Sequence, residues 1–305
     1  MEYFKTGDQH YLAVANFENG TSYRLNSVIY QWSLSQEQFV VFQIIERFGA
    51  HSLDFFEITN EQFLAISNYY DDSTFSINSF IFKWNRNKFE KIQEIATEGA
   101  ASCETFRISN ETFIAFAHLF TTHEQHLVQS AVFKRSGQQF VKLQSFQTYG
   151  EVRDVKSFTD NGSTFLAFAI YNNGTQHNIN SAIYKWNGSH FVPFQSIPTR
   201  GAFGLHPFMM CCQTFLGTAN HLDDDDRFNT RSVIYRFSQE QFTEDQEILT
   251  QGAFDVTSFQ YKGHTYLAVA NFANNSNKGN INSRLYIKVD IIQNASPTKI
   301  NSYLL

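Results

Sequence analysis

The chain has 305 residues, with 23 lysines and arginines against 29 aspartates and glutamates and a formal net charge of −6. That acidic balance, without a Lys/Arg stripe, excludes nucleic acid as the principal partner, whose affinity rests on phosphate neutralisation. No apolar run approaches the ~18 residues of a membrane-spanning helix, and no signal-peptide pattern is read at Met1.

The chain opens in mid-pattern. Residues 2–5 match the stretch around Ser258–Tyr261, and Phe4 precedes Tyr11 by the same interval as Phe259 precedes Tyr266. A first apolar run follows, Tyr11-Leu-Ala-Val-Ala-Asn16, then a polar loop over 17–26, and then a second run, Ser27-Val-Ile-Tyr-Gln-Trp32. A third run pairs Phe39 with Gln43; Gly49 and a fourth run ending at Phe56 complete the unit.

The unit then repeats about every 50 residues. The first run recurs at Phe63, Phe113, Phe165, Phe215 and Tyr266, and the serine of the second at Ser79, Ser130, Ser181, Ser232 and Ser283. The aromatic/Gln pair recurs as Phe89/Gln93, Phe140/Gln144, Phe191/Gln195 and Phe242/Gln246, and is missing from Asp290 to Leu305. Four short runs rich in Phe, Tyr, Val and Ile, separated by turns such as Asn161-Gly162, read as four antiparallel strands. Repeated at this period they predict an all-β fold, a β-propeller of six four-stranded blades, with a seven-bladed ring as the alternative. The unbroken repeat makes residues 1–305 a single domain, against the two that length alone suggests. The 33 phenylalanines are enough to fill wedges between blades with large side chains.

The composite pattern resembles the EAR (EPTP) repeat, the family of the leucine-rich glioma-inactivated proteins and of a thrombospondin-type laminin G protein carrying EAR repeats. Its elements are Gly-Ala before a Phe, Tyr/Phe-Leu-Ala-Val-Ala-Asn, Ser-x-Ile-Tyr-Lys-Trp and Phe-x-x-x-Gln. The resemblance covers nearly the whole chain. It implies a secreted, non-enzymatic propeller that binds partner proteins. Those relatives resemble seven-bladed rings joined to other domains, whereas six units are read here. Their partner-binding residues lie outside the repeat motif, so none transfers to this chain.

The residues themselves carry little catalytic signal. There is no H-E-x-x-H, G-x-S-x-G or P-loop pattern. Of the three cysteines, Cys103 falls at a core position of the repeat, and Cys211 and Cys212 are adjacent. An odd count leaves disulfides no dominant role.

If the fourth run is the innermost strand, Asp54, Glu104, Asp154 and Asp255, with Glu2, point into a central channel. A cation would relieve their repulsion, and Ca²⁺ suits oxygen ligands; Lys156 and His206 offer relief without one, and no cofactor is required. The run Asp223–Asp226 and the group His118, His123 and His126 read as polar loops, each with metal binding as the alternative.

The loops between the first and second runs span 17–26, 69–78, 119–129, 171–180, 221–231 and 272–282 and should gather on one face. Asp71, Asp72, His177, Asn178, Asp223 and Asp224 are its candidate ligand-binding residues. Trp32, Trp84 and Trp186, all at one repeat position, are candidates for sugar stacking or for packing on a neighbouring strand. Sequons at Asn19, Asn110, Asn161, Asn173, Asn187, Asn274 and Asn294 fit a secreted glycoprotein, and also an Asn-rich turn vocabulary. The functional expectation is an extracellular module that binds a protein partner. The alternative is a multivalent lectin, in which several equivalent blades give avidity from weak sites.

Overall fold

A computed structural model describes residues 1–46, 49–119, 129–278, 281–288 and 300–304. The fold class is all-β: six four-stranded antiparallel sheets, the blades of a β-propeller. Blades 1 to 3 cover Glu2–Ile45, Ala50–Ala96 and Ala100–Gln147. Blades 4 to 6 cover Glu151–Pro198, Ala202–Leu249 and Ala253–Leu304. The residues group into two compact units, Met1–Val152 and Arg153–Leu305. In every blade the strands follow one another in chain order, because each is joined to the next by a short hairpin or a loop.

The first hairpin explains two of the recurrent aromatics. Across it, Phe56 pairs with Phe63, Phe106 with Phe113 and Phe208 with Phe215. In all six blades this pair forms a stack with centroids 5.0–5.4 Å apart and planes within 17° of parallel. In four of the six blades the turn beyond it takes positive φ at two successive residues, as at Asn161 and Gly162 (45° and 77°) or Cys211 and Cys212 (50° and 58°). Two left-handed residues in succession match the twist of paired strands, the geometry that Asn-Gly turns favour.

The aromatic/Gln pair has a different purpose. In five blades the register between third and fourth strands slips by one residue at the same place, between Ile29 and Tyr30, Ile81 and Phe82, and their counterparts. A bulge re-aims the side chains next to it. In blade 1 the glutamine just past the bulge leaves its own sheet: Gln43 Nε2 donates to Phe89 O and Gln43 Oε1 accepts from Phe89 N, both at 2.8 Å. Gln93 does the same with Phe140, and Gln195 with Phe242. A side-chain amide thus substitutes for one residue of backbone pairing and joins a blade to the following one.

Within each unit the wedges between blades are apolar. In the first, Phe4, Tyr11 and Ile29 of blade 1 pack with Leu64, Phe80 and Phe89 of blade 2. In the second, Phe165 and Ile183 of blade 4 pack with Leu216, Tyr235 and Phe242 of blade 5. Cys103 is 3% exposed in such a wedge, as its repeat position implies, while Cys211 and Cys212 are exposed and form no disulfide.

Candidate functional site

The loops between second and third strands are built on a fixed foundation. In the first five blades the repeated serine is buried, and its hydroxyl accepts from a backbone N–H just past the apolar run of the second strand. Examples are Ser79 from Asn68 (3.3 Å), Ser181 from Ile170 (3.1 Å) and Ser232 from Asn220 (3.1 Å). Ser79, Ser181 and Ser232 also bond Thr97, Thr199 and Thr250, 2.8–3.0 Å away. The asparagine that closes the apolar run then crosses the loop base: Asn68 Nδ2 donates to Asn78 O and Asn220 Nδ2 to Arg231 O, both at 2.7 Å.

Above that base an Asx turn shapes each of the five loops that the structure describes in full or in most part, at Asn19, Asp71, Asn173, Asp223 and Asn274. Asp71 Oδ1 accepts from Ser73 N (3.0 Å) and Thr74 N (2.9 Å), and Asp223 Oδ1 from Asp225 N and Arg227 N (both 3.0 Å). After Asp71, Asp223 and Asn274 the next residue reaches back to the preceding loop. Asp72 accepts from Ser22 Oγ (2.6 Å) and Tyr23 N (2.8 Å), Asp224 from His177 N (2.5 Å) and Asn178 N (2.9 Å), and Asn275 from Phe228 N (2.8 Å) and Asn229 N (3.1 Å). These bonds, the Ser22 hydroxyl foremost for Asp72 and the Asn178 N–H for Asp224, hold both carboxyls below the ordinary aspartate range. Within the first unit Asp71 shapes its own loop and Asp72 ties it to the preceding one; within the second unit Asp223 and Asp224 divide the same two tasks, with His177 and Asn178 as the bonded neighbours of Asp224.

One depression stands out on this framed face of the second unit. It has a volume of about 620 Å³ and is lined by Asn178, Arg200, Asp223, Arg227, Asn229, Thr230, Arg231 and Glu247. Arg200 and Arg231 share one acid, Glu247, at 3.4 and 3.2 Å, while Arg227 is held by Asp223 and Asp225 at 2.9 and 2.7 Å. Of the candidate residues, Asn178 and Asp223 lie on this lining. A second groove of about 380 Å³, in blade 1, is lined by Asp8, Gln9, His10, Trp32, Leu34 and Phe39.

The family model for the EPTP domain matches residues 1–33, 38–85, 88–136, 139–187 and 241–287. The chain belongs to the EPTP-domain family. This EPTP chain is 33% identical over 225 residues to the mouse thrombospondin-type laminin G domain and EAR repeat-containing protein, a match covering 70% of the chain and 33% of that relative. It is 27% identical over 270 residues to mouse leucine-rich repeat LGI family member 2, covering 87% and 44%. The chain spans less than half the length of these curated relatives. Among solved structures it is similar to the SapL1 lectin in complex with alpha methyl fucoside, at TM-score 0.53 and 8% identity, covering 99% of this chain and 95% of that one. It is also similar to YjhT, at TM-score 0.56 and 9% identity, covering 99% and 96%. At such identities the likeness is one of fold alone.

In this EPTP chain each of the three tryptophans stands edge-on to the phenylalanine paired with it across the strands, Phe39, Phe89 or Phe191. Trp84 packs on Tyr11, Phe42 and Phe89 at 5.1–5.7 Å, and Trp186 stands edge-on to Phe191 at 5.1 Å. Trp32 meets Phe39 at 5.2 Å and borders the blade 1 groove.

The predicted channel carboxylates bind backbone. Asp54, two residues before the recurrent Phe56, accepts through Oδ2 from Thr105 N (2.5 Å), and Asp154, four before the equivalent Phe158, accepts through Oδ2 from Leu205 N (3.2 Å). Asp154 also pairs with Lys156 at 3.5 Å, and Asp255 Oδ1 accepts from Val256 N at 2.8 Å. Loss of hydration and then the Asp154 charge raise the Asp255 carboxyl, even though part of its surface meets solvent. Among the described residues no group of three or more His, Cys, Asp or Glu side chains is disposed to hold a metal. His123, His126 and Asn294 lie outside the described residues. His118 is 6% exposed, buried in blade 3.

Buried histidines give the fold a pH dependence that the repeat pattern does not announce. Desolvation lowers His118 and His221 to about 4, from an ordinary value near 6.5. His221 sits among Phe203, Phe228 and Phe254, with centroids 4.2–5.3 Å away. A folded value below the unfolded one means the unfolded chain binds more protons between pH 6.5 and 4. Their contribution is therefore fully present above pH 6.5 and declines as pH falls through that window, by on the order of 3 kcal/mol for each histidine. The raised Asp255 carboxyl works in the opposite direction. Urea midpoints should fall from pH 7.5 to pH 4.5, and His221→Phe should flatten the fall. An unchanged slope in that variant would refute this origin.

Proposed function

We propose that this chain is a non-enzymatic extracellular recognition module that presents the loops between its second and third strands to a protein partner. The observation that carries this reading is the inter-loop frame of Asp72, Asp224 and Asn275, which holds neighbouring loops in one arrangement before any partner arrives. A surface ordered in advance loses less entropy on binding. Membership of the EPTP family supports the reading, as do four exposed sequon asparagines, Asn19, Asn110, Asn161 and Asn187. The described chain has no helix long and apolar enough to cross a membrane.

The test is a screen of the multimerised chain against arrayed receptor ectodomains, beside a glycan array with and without EDTA. Saturable capture of an ectodomain is expected, at least about tenfold weaker for Asp224→Ala, which releases one loop from its neighbour. A silent ectodomain screen, with several equivalent sugar sites per chain by calorimetry, would replace this reading with the multivalent lectin. Loss of that sugar binding in EDTA would add a Ca²⁺ requirement.

A further inference from the structure

The depression beside Arg200 is made where the chain departs from its own repeat. The residue before the blade-opening glycine is Phe48, Glu98, Tyr149 or Gln251 in other units, and Arg200 here. The residue before the repeated serine is Asn26, Asn78, Gln129, Asn180 or Asn282, and Arg231 here. One position earlier, Leu25, Ile77, Val128, Ile179 and Ile281 are all aliphatic, and the equivalent is Thr230. Three scaffold positions have thus exchanged neutral, acidic or aliphatic side chains for two cations and a hydroxyl, and all three line one depression.

Thr230 supplies the second observation. It is 3% exposed, and its Oγ1 has no hydrogen-bond partner among the described residues. A buried hydroxyl without a partner costs about 1–3 kcal/mol relative to a satisfied one, so an aliphatic residue, as in every other unit, would be the stable choice. A ligand oxygen in the depression would supply the missing partner.

The chemistry of that ligand follows from charge and lining. Arg200 and Arg231 against Glu247 leave one net positive charge on their side of the depression, while Arg227 is already matched by Asp223 and Asp225, on a chain of net charge −6. Arg200 and Arg231 share a single carboxylate, so guanidinium N–H donors remain for one more anion. Asp223 and Glu247 would repel a multiply charged phosphate, yet they accept hydrogen bonds from hydroxyls. Asn178 and Asn229 add groups that both donate and accept. No aliphatic or aromatic side chain lines the space, so an apolar anchor gains nothing there. A volume of about 620 Å³ exceeds what a lone carboxylate fills and suits a small molecule.

We propose that this depression is a binding site for an acidic sugar, a hydroxylated ring carrying one carboxylate. The carboxylate meets Arg200 and Arg231, ring or carboxylate oxygen satisfies Thr230, and the hydroxyls meet Asp223, Asn178 and Asn229. The proposal rests on the recognition-module reading only in taking this loop face as the binding face. Ectodomain capture without sugar binding would remove the sugar site alone; sugar binding with a silent ectodomain screen would remove the protein-partner reading alone.

The experiment is calorimetric titration of the full chain with D-glucuronate and D-galacturonate, beside glucose, galactose, inorganic phosphate and N-acetylglutamate. Saturable binding of a uronate at one site is expected, with Kd of about 1 mM or tighter, and at least about tenfold weaker binding of its neutral counterpart. Arg231→Asn, which restores the repeat residue, should weaken uronate binding at least about tenfold. Thr230→Val should weaken it about fivefold or more while leaving the melting temperature unchanged or higher, a combination that a merely structural threonine would not give. Failure to saturate by about 20 mM uronate would overturn the proposal. So would equal affinity for the neutral sugars, phosphate or N-acetylglutamate, or wild-type affinity in both variants.

Discussion

Phe165→Ala is expected to lower the unfolding free energy by about 3–5 kcal/mol. Phe165 is 1% exposed. Its ring stacks on Phe158 at 5.0 Å and stands edge-on to Phe194 at 5.0 Å and Phe237 at 5.5 Å. Phe237 belongs to the following blade, so the ring supports both the cross-strand stack of its own sheet and the wedge between two sheets. Truncation removes its transfer free energy and leaves a cavity that strands tied by backbone ladders cannot close. Phe39→Ala provides the contrast, because Phe39 is 37% exposed and has less to lose. Urea denaturation of both variants checks the argument, and a similar loss in each would show that burial in the wedge is not what matters.

Gly201→Ala is the second large effect, at about 2–4 kcal/mol. Gly201 adopts φ of +53°, where a side chain is strained, and a Cβ there would lie 2.6 Å from the backbone oxygen of Leu222. The glycine is pinned on both sides: its N–H donates to His177 O at 2.6 Å, and its carbonyl accepts from His221 N at 3.0 Å. The chain cannot move aside without pulling two loops with it. Gly137→Ala isolates the conformational share, since φ is +62° there and a Cβ meets nothing within 4 Å. That control should lose only about 1 kcal/mol. Equal losses would mean that the approach of Leu222 O is not limiting. Because Gly201 holds the loops on either side of the depression, its substitution should also weaken uronate binding.

Much of the architecture was legible from residue order. The strand runs, the Asn-Gly turns, the core position of Cys103 and the facing aromatics of the first hairpin all follow from patterns a few residues long. Asn178 and Asp223 were singled out as polar loop residues, and both line the depression. Arg200 and Arg231 are visible in the sequence only as departures from the repeat, and Glu247 carries no mark of its own, so none of the three belongs to the recurrent pattern that makes the fold legible. Trp32, Trp84 and Trp186 share a repeat position and also a partner, since the aromatic that opens the third run, Phe39, Phe89 or Phe191, lies directly across the hairpin from each.

The amino-acid sequence by itself determined the period, the four strands of each unit, the turn chemistry and the family, all of which rest on local preferences and near-neighbour pairing. Only the tertiary structure decided what the repeated polar residues do. Gln43 meets Phe89, Asp54 meets Thr105, and Asp224 meets His177, at separations of 46, 51 and 47 residues. Such bonds run between blades, where a side chain finds a backbone group roughly one whole unit away. Their partners become neighbours only when adjacent sheets bury their shared wedge, which is also the event that brings Asn178 of blade 4 beside Arg231 and Glu247 of blade 5.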